Sequence, residues 1–261
     1  MKRVKPGVFL LSSPEIDENA LGEYLEWLGA LEWESDAPSD AELIPEVAGR
    51  LCYRSFAPGL NPNVKKVRGS NKEYLEHILE VGHGSVLEHG MLTFIIVNAS
   101  RVFTHELVRH RVGVGISQES LRFVRLTDLS FWEPEWALED TELQQRNTEI
   151  IRLLEEHQDW LAKHFGLDES GIKFEEKKKK TSYMRRFAPI GLATSICWSC
   201  NFRTLRHVIE MRTHPAAEEE IRLIFGMIAK IAQERYPNIF GDYEVEIIDN
   251  LPHYKTPHRK V

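Results

Sequence analysis

Arg109-His110-Arg111-Val112-Gly113-Val114-Gly115-Ile116-Ser117-Gln118-Glu119-Ser120-Leu121-Arg122 is the stretch from which the rest of the chain is read. It carries three guanidiniums, an imidazole, two hydroxyls, an amide and a carboxylate. Guanidiniums present fixed forks of donors that match phosphate and carboxylate oxygens. Glycines let a backbone come close to a bound group. Polar groups at this density make poor core material, because each buried charge needs a partner. The segment reads as an anion-binding loop suited to a nucleotide.

The surrounding chain sets bounds on that reading. Its 261 residues suffice for one large domain or two small ones, and 42% hydrophobic with 10% aromatic residues can bury a sizeable core. The formal net charge of −7 argues against a general nucleic-acid binder, whose affinity rests on basic surface. No apolar run reaches membrane-spanning length, so no membrane partner is expected; Met91–Val97 is strand-sized. The apolar stretch after the basic N-terminus runs only from Val8 to Leu11, too short for a signal peptide. Three cysteines cannot all pair within one chain, which suits a reducing cytoplasm.

Outward from the loop, the patterning predicts a strand at Val8–Leu11, helix and loop over 13–45, and a turn-rich loop over 57–63. Ser70 and Glu73 form a capping-box pattern, followed by Tyr74, Leu75, Ile78 and Leu79 at helical spacing and a stop at Gly82. A strand over 91–98 and a short helix over 102–110 lead into the motif. Residues 141–165 read as a helix with an apolar stripe of Leu143, Ile150, Leu154 and Leu161. Lys177–Lys180 reads as a solvated helix face. A strand over 190–199, a helix over 202–213 capped by Asn201, and a helix over 216–235 with Ile221, Ile224, Phe225, Ile228 and Ile231 inward complete the pattern. Without internal repeats or a linker, one α+β domain over 1–261 is the simplest organisation.

Several motifs have ordinary structural readings. His105-Glu106-Leu107-Val108-Arg109-His110 is not a zinc-protease helix, because the second histidine falls five residues after the first and Arg109 stands at the fourth. No metal site is assigned. Cys197 and Cys200 supply two ligands rather than four and lie on a strand, so they read as two buried cysteines. His83, Ser85, Glu88 and His89 form either a polar helix-to-strand loop or a lip of donors around a ligand. Arg203, Arg206, His207 and Arg212 form either an exposed basic helix face or a phosphate-facing one; Glu210 is the acid among them.

Taken together these blocks resemble the flavin-dependent thymidylate synthase family. Its signature is Arg-His-Arg, seven residues, then Ser-x-Arg; here eight residues separate Arg111 from Ser120. His83-Gly-Ser85-Val-Leu-Glu88-His89 before a Thr-Phe strand, Arg185 four residues before Pro189, Asn201-x-Arg203 and Arg212 fall in the family's order from about residue 48 to 235. Residues 1–47 and 236–261 lie outside the resemblance. The chain departs from the family pattern at Cys52, Glu106, Gln118, His207 and Ala216.

The resemblance implies an α+β domain with a small, mostly antiparallel sheet packed by helices, assembled as a homotetramer. It implies reductive methylation of dUMP to dTMP, with methylenetetrahydrofolate as carbon donor, NADPH as reductant and FAD as cofactor. It implies a dUMP set of Glu106, Arg109, Gln118, Glu119, Ser120, Leu121, Arg122, Arg185 and Arg212. The implied FAD set is His83, Ser85, Glu88, Arg109, His110, Arg111, Ser117, Gln118, Asn201, Arg203 and His207. Arg212 is the catalytic residue, stabilising negative charge on the uracil ring. The three cysteines have no catalytic part in it. Two other classes fit the loop: a nucleotide-binding regulatory protein without redox chemistry, and an RNA binder, which the net charge opposes.

Overall fold

The computed structural model describes residues 2–122, 126, 128–259 and 261. The elements run β1 (Lys2–Arg3), β2 (Gly7–Ser12), α1 (Glu18–Leu28), α2 (Asp40–Tyr53), α3 (Asn71–Glu80), β3 (Met91–Ser100), α4 (Arg101–Leu107), β4 (Val114–Gln118) and β5 (Ser130–Phe131). They continue as α5 (Glu135–Glu139), α6 (Thr141–His164), α7 (Phe174–Met184), β6 (Ala193–Asn201), α8 (Phe202–Thr213), α9 (Glu219–Arg235), α10 (Pro237–Phe240), β7 (Glu244–Ile248) and β8 (Leu251–Lys255). Four strands form a sheet in the order β2-β3-β6-β4. This is the mixed helix-and-sheet chain that the α+β reading expects. No helix of the described residues is long and apolar enough to cross a membrane.

The chain divides into two compact units. One comprises the chain through Val8, then Ile95–Arg109 and Ile116–Cys197; the other comprises Phe9–Phe94, His110–Gly115 and Trp198–Val261. The divisions fall inside strands β2, β3, β4 and β6 and between Arg109 and His110.

In the second unit the core follows from strand and helix periods. Alternation along β3 and β6 buries Leu92, Phe94, Trp198 and Cys200. Trp198 stacks on Phe94 at 6.1 Å and meets the edge of Phe225 at 5.6 Å. Helix α9 supplies Ile221, Ile224, Phe225 and Ile228 as expected, and Ile231 is half-buried. It starts at Glu219, three residues later than the spacing suggests, because Glu218 is the cap and accepts from the Glu220 and Ile221 amides. Helix α3 begins at the expected cap: the Ser70 hydroxyl accepts from the Glu73 amide at 3.2 Å.

The C-terminal segment, outside the resemblance, is a hairpin. Ile248 pairs with Leu251, and Asp249 and Asn250 between them have φ of 53° and 62°. Two consecutive left-handed residues make the turn type that matches strand twist. Arg222 holds the tip by donating to the Ile248 carbonyl at 2.7 Å.

In the first unit, α6 keeps the expected span less one residue, but its inward stripe is rotated. Ile151 and Leu161 are buried, Leu143 and Leu154 half-buried, and Ile150 is 47% exposed. Ile151 joins Leu126, Leu129, Phe131 and Leu192 in one cluster, and that packing decides which of two adjacent isoleucines turns inward. Lys177–Lys180 lies on α7, with Lys180 donating to the Phe165 carbonyl at 2.9 Å. Cys197 is only half-buried, whereas Cys200, three positions along the strand, is buried.

Candidate functional site

Helix α4 stops at Leu107, short of the expected 110, so Arg109, His110 and Arg111 stand on the connection into β4. In the second unit that connection is tacked to the start of α8. The Asn201 side chain caps the helix by accepting from the Thr204 amide at 2.8 Å, and its own backbone amide donates to the Gly113 carbonyl at 3.0 Å. The Thr204 hydroxyl donates to the Val112 carbonyl at 2.8 Å. Gly113 has φ +67°, and a Cβ there would lie 2.3 Å from the Asn201 amide nitrogen. Only glycine meets both demands.

This tether brings His110 to Arg212 on α8, 102 residues onward. The Arg212 Nε–H donates to His110 Nε2 at 2.8 Å, and His207 packs edge-on to His110 at 6.2 Å. Arg Nε is donor-only, so His110 must be neutral and carry its proton on Nδ1. Burial, then the Arg212 and His207 charges, push its pKa down from 6.5 to about 4. Histidine at this position is therefore a fixed acceptor near neutral pH.

A second cluster in the same unit surrounds the 3₁₀ turn Gly84–Glu88. Arg203 donates to Glu88 across 2.5 Å, and a Cβ on Gly84 would lie 2.7 Å from the Arg203 Nε. His83 stacks on Tyr53 with ring centroids 5.3 Å apart, and the Tyr53 hydroxyl bonds its Nδ1. Ser85, Glu88, Arg111, Arg203 and His207 are exposed. Tyr53 is a residue that the sequence reading missed, for it ends a helix with no motif around it. Arg206 is a correction. It is 1% exposed, forks onto Asp242 with both contacts at 2.7 Å, and bonds Thr256, so it anchors the C-terminal segment instead of joining a basic face.

In the first unit, Glu119 is locked to β6: its amide donates to the Ser195 carbonyl at 3.0 Å and its carboxylate accepts from the Ser195 amide at 3.3 Å. Arg122 Nε donates to the Ser182 hydroxyl at 3.1 Å, while the Arg122 amide donates to the Ser120 hydroxyl at 3.3 Å. The Thr181 hydroxyl donates to the Arg122 carbonyl at 3.0 Å. The basic segment around α7 is thus what orients Arg122. Arg185 follows directly, exposed. Arg101 is a second residue the sequence reading missed. Burial and then the nearby Arg185 charge lower its pKa, and its guanidinium reaches toward the Glu119 carbonyl at 3.5 Å. Gln118 bonds Thr104 at 3.4 Å. Glu106 is half-buried, and Arg109 and Ser117 are exposed. Glu119 and Leu121 also line a cavity of about 220 Å³ with Asn98, Asp128 and Thr194.

The expected residues therefore fall into a His110–His207–Arg212 cluster, an Arg203–Glu88 cluster beside His83, and a Glu119–Arg122 cluster with Arg101 and Arg185. Arg122, oriented by the neutral Ser182 hydroxyl, is suited to a phosphate, and Arg203 is oriented by the Glu88 carboxylate.

Comparison with known proteins agrees with this chemistry. Residues 35–238 match the family described as Thymidylate synthase complementing protein. The flavin-dependent thymidylate synthase of Corynebacterium glutamicum is 35% identical over 229 residues, covering 84% of this chain and 85% of its own length. That of Mycobacteroides abscessus is 34% identical over 223 residues, covering 82% and 84%. Among solved structures, a UMP/dUMP methylase PolB from Streptomyces cacaoi bound with 5-Br UMP shares the fold, with a TM-score of 0.62 at 18% identity over 92% of this chain and 94% of its own.

Proposed function

We propose a function from one premise: the chain belongs to the flavin-dependent thymidylate synthase family. It methylates dUMP to dTMP, taking the carbon from methylenetetrahydrofolate and the reducing equivalents from NADPH, with FAD as cofactor. The observation that carries this reading is the bond from Arg212 to a neutral His110, which joins the signature motif to the arginine that the chemistry requires. It works as a homotetramer in the cytoplasm, and both compact units belong to one catalytic domain; the family match spans residues of both.

The residues fit FAD. Gly84 and Gly113 let the Arg203 and Asn201 side chains lie against the backbone where a Cβ would collide with them, which brings these donors beside the loop. The donor set of Arg203, Arg111, Arg109, Asn201, His83, His110 and His207 with the Ser85 and Ser117 hydroxyls matches phosphate and heterocycle acceptors. Glu88 orients Arg203, and Gln118 completes the set. The flavin, when bound, supplies the redox chemistry.

The chain's own residues bind, orient and polarise. Arg122, Arg185 and Ser120 hold the dUMP phosphate, with Ser182 fixing the direction of Arg122. Glu106, Arg109, Gln118, Glu119 and Leu121 complete the substrate contacts. Arg212 stabilises negative charge that develops on the uracil ring. His110 holds the Arg212 guanidinium at its Nε and stays neutral, so it leaves that charge undiminished. None of the cysteines is required as a nucleophile.

The test is product formation from dUMP with FAD, NADPH and methylenetetrahydrofolate, each omitted in turn. Arg212→Ala is expected to lower the rate at saturating dUMP, since it removes an interaction stronger in the transition state. Arg212→Lys is expected to restore only part, because an ammonium lacks the planar fork. Parent-like turnover of Arg212→Ala at saturating dUMP would remove the catalytic role. A regulatory protein without redox chemistry predicts no flavin absorbance and no product.

A further inference from the structure

The second unit holds a cavity that the proposed reaction leaves without a role. It has a volume of about 260 Å³ and is lined by Tyr53, Ser55, Lys65, Lys66, Arg68 and Tyr74, with His77 beside them. On a chain of net charge −7, this is a local concentration of positive charge. Lys66 pairs with Glu73 and, with Arg68 behind it, holds that carboxyl below its usual range. The side chains of Lys65 and Arg68 make no ion pair among the described residues. The lining therefore keeps two cations in excess.

The loop that presents them is built. One guanidinium, Arg50, closes both of its ends: Nη1 donates to the Ser55 carbonyl at 2.8 Å and Nη2 to the Arg68 carbonyl at 2.9 Å. Arg50 is itself fixed. It is 1% exposed, bonds Glu46 through Nε at 2.8 Å, and lies over the rings of Trp33 at 5.3 Å and Tyr74 at 4.6 Å. Asn61 adds a bond to the Tyr53 carbonyl at 2.7 Å. Cationic side chains on a loop clamped at both ends lose less freedom on binding an anion than those on a free loop.

The cavity also adjoins the candidate site. Tyr53 lines it and is the ring stacked on and bonded to His83. A ligand lying at His83 can send a flexible anionic end past Tyr53 into the cavity.

We propose that this cavity is an oxyanion subsite for the charged end of a co-substrate: the glutamate carboxylates of the folate or the 2′-phosphate of NADPH. The assignment of the ligand rests on the proposed reaction, whereas the anion subsite rests on the cavity alone. Lysines suit this task, since each is a point charge on a flexible stem that follows a mobile carboxylate or phosphate.

Isothermal titration of the FAD-loaded protein tests it with two probes, tri-γ-glutamate and adenosine 2′,5′-bisphosphate, with adenosine 5′-monophosphate as the control for the second. At least one probe is expected to bind, more weakly as salt rises. Its affinity is expected to fall about tenfold in Lys65→Glu/Arg68→Glu, one exposed and one half-buried charge reversed. Lys65→Gln/Arg68→Gln, which keeps the Arg68 carbonyl for Arg50, should show a smaller loss in the same direction. Loss for tri-γ-glutamate names the folate tail as the source; loss for the bisphosphate alone names NADPH. If neither probe binds, or both bind the folded variants as tightly as the parent, the subsite is overturned. Failure of the proposed reaction would show separately, as a parent protein that makes no dTMP while still binding a probe.

Discussion

Acidification from pH 7 to pH 5 will weaken this fold through one histidine. His110 is held neutral by accepting a hydrogen bond from Arg212 at 2.8 Å, with its pKa lowered from 6.5 to about 4. Between those values the unfolded chain binds a proton that the folded chain refuses. The unfolded state thus takes up more protons, and stability falls as pH falls through 6.5, reaching its lower plateau near 4. Linkage with these two values gives a loss of about 2 kcal/mol between pH 7 and pH 5. That is a ceiling, because half-buried His110 is partly screened by solvent. His110→Gln keeps an acceptor for the Arg212 Nε–H and removes the titration. Urea unfolding of parent and variant at fixed protein concentration, at several pH values, isolates the effect. The parent should lose stability relative to the variant as pH drops. The imidazole nitrogens of His110, followed by NMR in histidine-labelled protein, should show an unprotonated Nε2 down to about pH 4. A His110 that titrates near 6.5, with parent and variant curves running parallel, would refute both the tautomer and the role of the bond.

Arg122→Ala and Arg185→Ala are each expected to weaken dUMP binding by about 1.5–3 kcal/mol, about ten- to more than a hundredfold, in a direct titration; unchanged affinity in a folded variant removes that residue from the phosphate site. Arg50→Met leaves the Glu46 carboxylate, 1% exposed, without its cation and should cost about 3–5 kcal/mol in chemical denaturation. Adding Glu46→Gln should recover part of that loss; a double variant no better than the single one would show that the ion pair is not the cause. Serine at Cys52, Cys197 or Cys200, introduced singly, should leave turnover measurable, with a stability cost of about 1–3 kcal/mol confined to buried Cys200. A folded, FAD-loaded variant with no turnover would point to a thiolate nucleophile.

The elements that the sequence determined are those whose signal is local. Strand β3 and strand β6 carry period-two burial, α9 carries period-3.6 burial, and Ser70 and Asn201 cap the helices that follow them, all because these patterns depend on neighbours within a few residues. The motif residues were legible too, since their chemistry is written in residue type. What tertiary structure decided depends on partners far along the chain. Ile151 rather than Ile150 turns inward because Leu126, Phe131 and Leu192 meet it there, and helical period alone allows either to border the stripe. Arg206 looks like its exposed neighbours until Asp242 and Thr256 fold back to enclose it. Asp249-Asn250 makes a tight hairpin turn without the glycine that would have advertised it. Tyr53 gains a role only when His83 is laid on its ring, and Arg50 only when Ser55 and Arg68 are brought to one guanidinium. The protonation state of His110 belongs to this second class: a histidine's sequence neighbours do not fix its tautomer, and here a donor-only nitrogen from residue 212, seated beside it by the Gly113–Asn201 contact, does.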